Sequence, residues 1–211
     1  MTIKNIGTCL LCNENINHRS ITKHLHKCLE NALHDPSEKE KIFLMKIFAG
    51  KLFWLYIEIN GTSTLDKLDS FLREIWLECC GHMSQFSIER EESYSSDEGM
   101  KQKIHRVFDI GTEFDYEYDF GSTTYLEGKV ISNRPGKLSA GIRLIARNNM
   151  PEEFQCVTCK KHPEVICSIC LDFLCNKCQK KHKNCEGEEF MLPVVNSPRV
   201  GVCGYTGPME S

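Results

Sequence analysis

Four pairs of metal-ligand residues follow one another in the last quarter of the chain: Cys156/Cys159, Cys167/Cys170, Cys175/Cys178 and His182/Cys185. Two residues separate the members of each pair, the spacing at which one short turn presents two ligands to a tetrahedral ion, so eight ligands imply two zinc sites. A stretch of about thirty residues cannot bury enough apolar surface to hold itself together, and metal takes over that task. Zinc binding worth about 10–16 kcal/mol in finger peptides suffices to fold such a lobe outright. Four protein ligands on each ion leave no open coordination position, which points to structural rather than catalytic zinc.

The chain has 13 cysteines, and the remaining ones locate a second metal module at the other end. Cys9 and Cys12 form a knuckle pair, and His24 and Cys28 lie four apart on one helical face, the ligand pattern of a small finger holding a third zinc ion. Ser20 caps the expected helix ITKHLHKCLENAL, whose Ile21, Leu25 and Leu29 repeat at four-residue spacing. His18 and His26 are spare in this scheme. Three cysteines stay outside it. Cys79 and Cys80 read as small buried hydrophobes at a helix end, with a Cys80/His82 nucleophile pair as the alternative. Cys203, flanked by glycines in GVCGYTG, reads as a free thiol without zinc.

A disulfide framework would require an oxidising compartment, yet MTIKNIGTCLLCNENINHRS has no uninterrupted apolar segment and no cleavage site of the secretory kind. A cytoplasmic zinc protein is the expectation. The most apolar stretch, IFLMKIFAGKLFWLYIEI, is broken by Lys46, Lys51 and Glu58, which argues against a membrane span. A net charge of -3 gives no global attraction to nucleic acid or anionic lipid. The one dense basic segment, Lys177, Lys180, Lys181 and Lys183, sits among predicted ligands, where solubility explains it as well as phosphate binding does.

Between the two modules the patterning is of mixed type. Asp35-Pro36-Ser37-Glu38 punctuates the chain. Leu52 to Asn60 has the content of a strand, and Ser63 opens an amphipathic helix with Leu65, Leu68, Leu72, Ile75 and Trp76 on one side, ended by Gly81. MSQFSIER is a second strand, followed by EESYSSDEGM as an unpacked acidic loop. Then Phe114, Tyr116, Tyr118 and Phe120 alternate with Glu113, Asp115, Glu117 and Asp119, and Gly121-Ser122 turns the chain into a returning strand from Thr123 to Ile131. The acidic residues read as the solvated face of a two-stranded hairpin. NRPGK marks a turn and IRLIARNN a short strand. A helix over the aromatic face would complete an α+β domain. The expected organisation is a finger at 1–35, an α+β domain at 40–150, a two-zinc module at 154–187 and a tail at 188–211.

The ligand spacing from Cys156 to Cys185 resembles a B-box zinc finger of the first type, with Cys185 where a histidine is usual, and CSICLDFLCNKC also resembles ZZ-type fingers. Both families interleave their ligands. The likeness therefore implies Cys156, Cys159, Cys175 and Cys178 on one ion, and Cys167, Cys170, His182 and Cys185 on the other; His162 offers an alternative first pair with Cys159. The core resembles the plasmid pRiA4b ORF-3-like family, also labelled insertion-element passenger (TnpR-like) proteins. The resemblance rests on STLDKLDSFLREIWLECCGHMSQFSI and GTEFDYEYDFGSTTYLEGKVI, and covers roughly residues 42–150. Tyr118, Asp119, Phe120 and Gly121 match the family hairpin, and His82 and Phe86 match the element before it. Ser122 and Tyr125 stand where that family has an acidic residue and a tryptophan. NSPRVGVCGYTG is similar to the ending of zinc-bearing members. The resemblance implies an α+β fold without a defined activity.

Together these readings lead to a non-enzymatic zinc protein that binds a protein partner. A nucleic-acid-associated accessory factor is the alternative, using Arg19, Lys23 and Lys27 of the first finger and the lysines near His182. An enzyme with its site on the acidic hairpin is the third reading.

Overall fold

The computed structural model describes residues 5–30, 39–88, 92–182, 185 and 190–208. The Asp35-to-Glu38 punctuation, the far end of the first predicted helix, the start of the acidic loop and Lys183 lie outside the described residues. The chain forms two compact units, Met1–Phe71 with Met83–Asn149, and Leu72–His82 with Met150–Ser211. Residues 1–35 and the bulk of 40–150 thus share one unit, while an eleven-residue segment from the middle belongs with the C-terminal module.

The first unit is built on a nine-stranded, wholly antiparallel sheet. In chain order its elements are β1 (Ile6–Cys9), β2 (Asn15–Asn17), α1 (Ile21–Glu30), β3 (Lys41–Ala49), β4 (Phe53–Asn60), α2 (Leu65–Leu72), β5 (Ser84–Ile88), β6 (Glu92–Tyr94), α3 (Asp97–Met100), α4 (Ile104–Val107), β7 (Glu113–Tyr118), β8 (Thr124–Pro135) and β9 (Ile142–Asn148). The strand order is β2-β1-β9-β4-β3-β8-β7-β5-β6. β4 lies well inside it, and all eight of its residues are buried, as expected of a continuous aromatic and β-branched run covered on both faces. β3, read from sequence only as part of an apolar stretch, pairs with β4 from Ile42↔Asn60 to Ala49↔Phe53. The turn between them uses Gly50 at φ 55, a conformation that suits glycine.

The strands of the N-terminal metal module belong to this sheet: β1 pairs with β9 through Gly7↔Asn148 and Cys9↔Ala146. Ile21 and Leu25 of α1 are fully buried in a cluster with Cys9, Leu44, Trp54, Tyr56, Ile145 and Ala146. Ser20 does not cap α1 as expected. Its hydroxyl donates to the Asn17 carbonyl at 3.1 Å, inside a turn in which the Asn17 side chain accepts from the Arg19 N–H.

Other expectations are corrected by local chemistry. The cap of α2 is Thr64, whose Oγ accepts from the Lys67 N–H at 3.2 Å, while the Ser63 hydroxyl donates to the Gly141 carbonyl. The helix does not run to Gly81. After Leu72 it widens into a π-helical turn, Arg73–Leu77, and Glu78 is already extended. EESYSSDEGM is largely structured, because β6 pairs with β5 and the Ser96 hydroxyl caps α3 by accepting from the Gly99 N–H. The turn expected at NRPGK begins late, since β8 continues through Pro135. β7 is no edge strand: β8 and β5 flank it. Its alternation holds for buried Phe114, Tyr116 and Tyr118, then breaks at Asp119, which takes φ 66 and is itself buried, leaving Phe120 exposed. Asp69 of α2 accepts hydrogen bonds from Tyr116 at 2.7 Å and Ser84 at 2.5 Å.

The second unit has a three-stranded antiparallel sheet of β10 (Val165–Cys167), β11 (Phe173–Leu174) and β12 (Met191–Pro193), in the order β11-β10-β12, and one turn of helix, α5 (Asn176–Gln179). Its apolar cluster is small, with Cys156, Leu174 and Cys175 at the centre and Val165, Cys178 and Met191 around them. Two of the three central residues of this cluster are cysteines, so metal-ligand residues are part of the unit's core, beside buried Trp76, Leu77, Phe154 and Tyr205.

Candidate metal centres

Three Cys-x2-Cys pairs share one backbone design. In each, the N–H of the residue after the second cysteine donates to the carbonyl of the first: Asn13 to Cys9 at 2.7 Å, Lys160 to Cys156 at 2.9 Å and Leu171 to Cys167 at 2.8 Å. The first cysteine's N–H then donates to the carbonyl five residues on, Glu14, Lys161 or Asp172. Closing the turn forces Asn13, Lys160 and Leu171 to φ 62, 60 and 61, in the left-handed region that costs a residue with a Cβ roughly 1–2 kcal/mol. The knuckles accept that strain because the turn aims both sulfurs at one point. The fourth Cys-x2-Cys pair differs: Cys175 is the N-cap of α5, and Cys178 lies on the single turn of that helix.

These turns and the segments opposite them bring twelve predicted residues into three groups, each with ligand atoms within 4.8 Å of one another. Cys9 and Cys12 meet His24 and Cys28 of α1, with His24 Nε2 3.2 Å from the Cys12 Sγ and 3.3 Å from the Cys28 Sγ. Cys156, Cys159, Cys175 and Cys178 form the second group, with 3.6 Å between the sulfurs of Cys159 and Cys175. Cys167, Cys170, His182 and Cys185 form the third, with His182 Nε2 3.6 Å from the Cys170 Sγ. Zinc–sulfur bonds of about 2.3 Å and zinc–nitrogen bonds of about 2.0 Å place tetrahedral ligand atoms roughly 3.5–3.8 Å apart. The residues present fit metal at all three groups. His162 is exposed and belongs to none of the three.

The thiols themselves ask for a cation. Burial opposes ionisation of Cys156, but the N–H groups of Cys175, Cys159 and Thr158 outweigh it and bring the thiol down to about 6. Cys178, hydrogen bonded to Cys175 and partly desolvated, is pushed up to about 12. Cys167 falls to about 7 against its burial, through the N–H groups of Cys170 and Ile169, whereas Cys170 rises to about 12, from burial and then the neighbouring Cys167 and Cys185 sulfurs. Burial, followed by Cys12 and Cys9, also drives Cys28 up to about 12. Sulfurs packed this closely cannot all ionise unaided, and a divalent ion at their centre removes the conflict.

A fourth group of the same size was not anticipated: Cys79, Cys80, His82 and Cys203. Cys80 is exposed, not buried, and its Sγ lies 2.9 Å from His82 Nε2. Adjacent cysteines make no knuckle, and more than a hundred residues separate them from Cys203, so the spacing rule could not find the set. Arithmetic offered a signal, because the three unassigned cysteines and His82 add up to one tetrahedral ligand set.

The acidic hairpin is organised differently. A groove of about 650 Å³ is lined by Lys46, Phe48, Ser87, Gly111, Glu113, Phe114, Asp115, Glu127, Gly128 and Lys129. Lys129 pairs with Glu113 at 2.7 Å. The matched hairpin residues Tyr118, Asp119, Phe120 and Gly121 do not line it, and the Asp119 carboxylate accepts from the Gly121 N–H at 3.0 Å to hold the turn.

No protein-family profile matches the chain, and no curated protein matches it. Among solved structures, the chain is similar to MM3350, a protein of unknown function from Methanosarcina mazei Go1, at 17% identity and a TM-score of 0.41. That alignment covers 47% of this chain and 64% of the other, less than two thirds of its length. Nothing about activity follows from it. Among the described residues, no helix is long and apolar enough to cross a membrane.

Proposed function

We propose that the protein is a non-enzymatic interaction protein whose zinc ions hold rigid knuckles in place, with the zinc-ligand sets defined by Cys9, Cys156 and Cys167 and their partners. In this reading the core is a pRiA4b ORF-3-like α+β domain, with a helix over the aromatic face of its sheet, and the protein works in the cytoplasm. The observation that carries the proposal is what the knuckles expose. Leu10, Val157, Ile169 and Leu171 are 43, 43, 55 and 55% accessible, and each lies between or directly after the cysteines of a knuckle pair. An apolar side chain on a turn locked by metal loses little entropy on binding, which suits it to anchor an apolar segment of a protein partner. Closed sets of four ligands support structural rather than catalytic metal.

Capture of partners from native extract with the wild-type chain and with a Val157→Asp, Ile169→Asp, Leu171→Asp variant tests this reading. The variant keeps every ligand, so its zinc content stays unchanged while the specific partner is lost. Equal capture by both chains at equal zinc content would count against apolar knuckle recognition. Retention on DNA or RNA that falls steeply with salt would favour the nucleic-acid alternative through exposed Lys177, Lys180 and Lys181.

A further inference from the structure

We infer that Cys79, Cys80, His82 and Cys203 form a fourth zinc site, which fastens the C-terminal tail to the segment following the π-helical turn. All four residues belong to the second unit, and their ligand atoms lie within 4.8 Å of one another. The Cys79 and Cys80 sulfurs are 3.7 Å apart, the Cys80 and Cys203 sulfurs 3.8 Å, and His82 Nε2 is 3.3 Å from the Cys203 Sγ. Those sulfur separations approach the edge of about 3.8 Å of a zinc tetrahedron and are close to the 3.6 Å of the Cys159–Cys175 pair. Three thiolates and one imidazole form a soft donor set that favours zinc over hard cations such as Mg2+ or Ca2+.

The surroundings are built for such a centre. Arg199 is fully buried, and its Nη2 donates to the Cys79 Sγ at 3.4 Å. Three thiolates around one Zn2+ leave a net negative charge, which an adjacent guanidinium compensates as an outer-shell partner. The Ser197 hydroxyl donates to the Trp76 carbonyl at 2.6 Å and accepts from the Arg199 N–H at 2.9 Å, so the tail is hydrogen bonded to the π turn before the ligands are reached. Cys203 then takes φ 49 between Gly201 and Gly204, at φ 80 and 68, in a run of turns that directs its sulfur to the other three. A nucleophilic dyad of Cys80 and His82 would not explain two further sulfurs around the same point.

The full-length chain, loaded with zinc, gives the test in two measurements. Metal analysis is expected to yield four zinc ions per wild-type chain, three for Cys203→Ser and four for Cys203→His, because zinc accepts either ligand. Peptide-resolved alkylation of the native wild type should leave Cys79, Cys80 and Cys203 unmodified until a chelator is added, and this measurement stands even if a variant misfolds. The proposal is overturned if those three cysteines react in the zinc-loaded protein while Cys156 and Cys167 are protected, if any two of them are recovered as a disulfide, or if Cys203→Ser keeps the wild-type zinc content. None of these outcomes bears on partner capture by the knuckles, so the two proposals fail separately.

Discussion

Lys160 and Leu171 occupy left-handed backbone for one reason, which is to close a turn around two sulfurs. Lys160→Gly should therefore stabilise the zinc-loaded second unit by up to about 1 kcal/mol, and Lys160→Val should destabilise it by about 1–2 kcal/mol. Denaturant midpoints at saturating zinc would show this, and equal midpoints would mean that the knuckle carries no such strain. His18, spare as a ligand, has another role. Its ring packs against Trp54 at 5.5 Å, and burial first, then Lys46, holds its pKa below the usual 6.5. An unfolded chain accepts a proton there that the folded chain refuses, so this contribution is complete above pH 6.5 and is lost as pH falls toward the lower folded value. His18→Gln should lose less stability than the wild type between pH 7.5 and 5.5; parallel loss in both would remove His18 from the account.

Gly7 in β1 is a close-approach glycine: a Cβ there would stand 2.2 Å from the Arg147 carbonyl oxygen and 2.3 Å from the Trp54 ring. Gly7→Ala should cost about 1–3 kcal/mol and loosen β1, and with it Cys9, from β9. Faster amide exchange in β1 and weaker zinc binding at the first group would register that change, and unaltered exchange would contradict it. Glu58 in β4 is 1% exposed and receives hydrogen bonds from Arg134 of β8 and Arg143 of β9. Glu58→Ala should lower unfolding free energy by about 2–3 kcal/mol, measured by denaturant titration. The period-2 alternation around Tyr116 and the apolar run of β4 made strands legible in the sequence. The nine-strand order was not, because antiparallel pairs such as β1 with β9 join residues some 140 apart and leave no local trace. The cap of α2 moved by one residue for a similar reason: Ser63 is claimed by the Gly141 carbonyl, a partner invisible in the local pattern.

The two compact units rest on different forces. The first has a buried sheet core that includes Trp54, Tyr56, Phe86 and Tyr116, whereas the second buries ligand cysteines Cys156, Cys167 and Cys175 alongside Trp76 and Tyr205. Chelation should therefore expose residues 150–208 to proteolysis and rapid amide exchange while β3, β4 and β8 stay protected. Simultaneous loss of protection in both units would refute that division. The ligand groups in the last quarter were readable because the two members of each pair stand three positions apart in the sequence. The set at Cys79 was hidden because its parts come together only through the tail. The Ser197 hydroxyl reaches the Trp76 carbonyl across 121 residues of chain. On a ribosome adding about 5–20 residues per second, Trp76 emerges roughly ten seconds before its partner is made. Cys79 and Cys80 spend that interval without the tail, so the second unit is completed only after most of the first unit has been made.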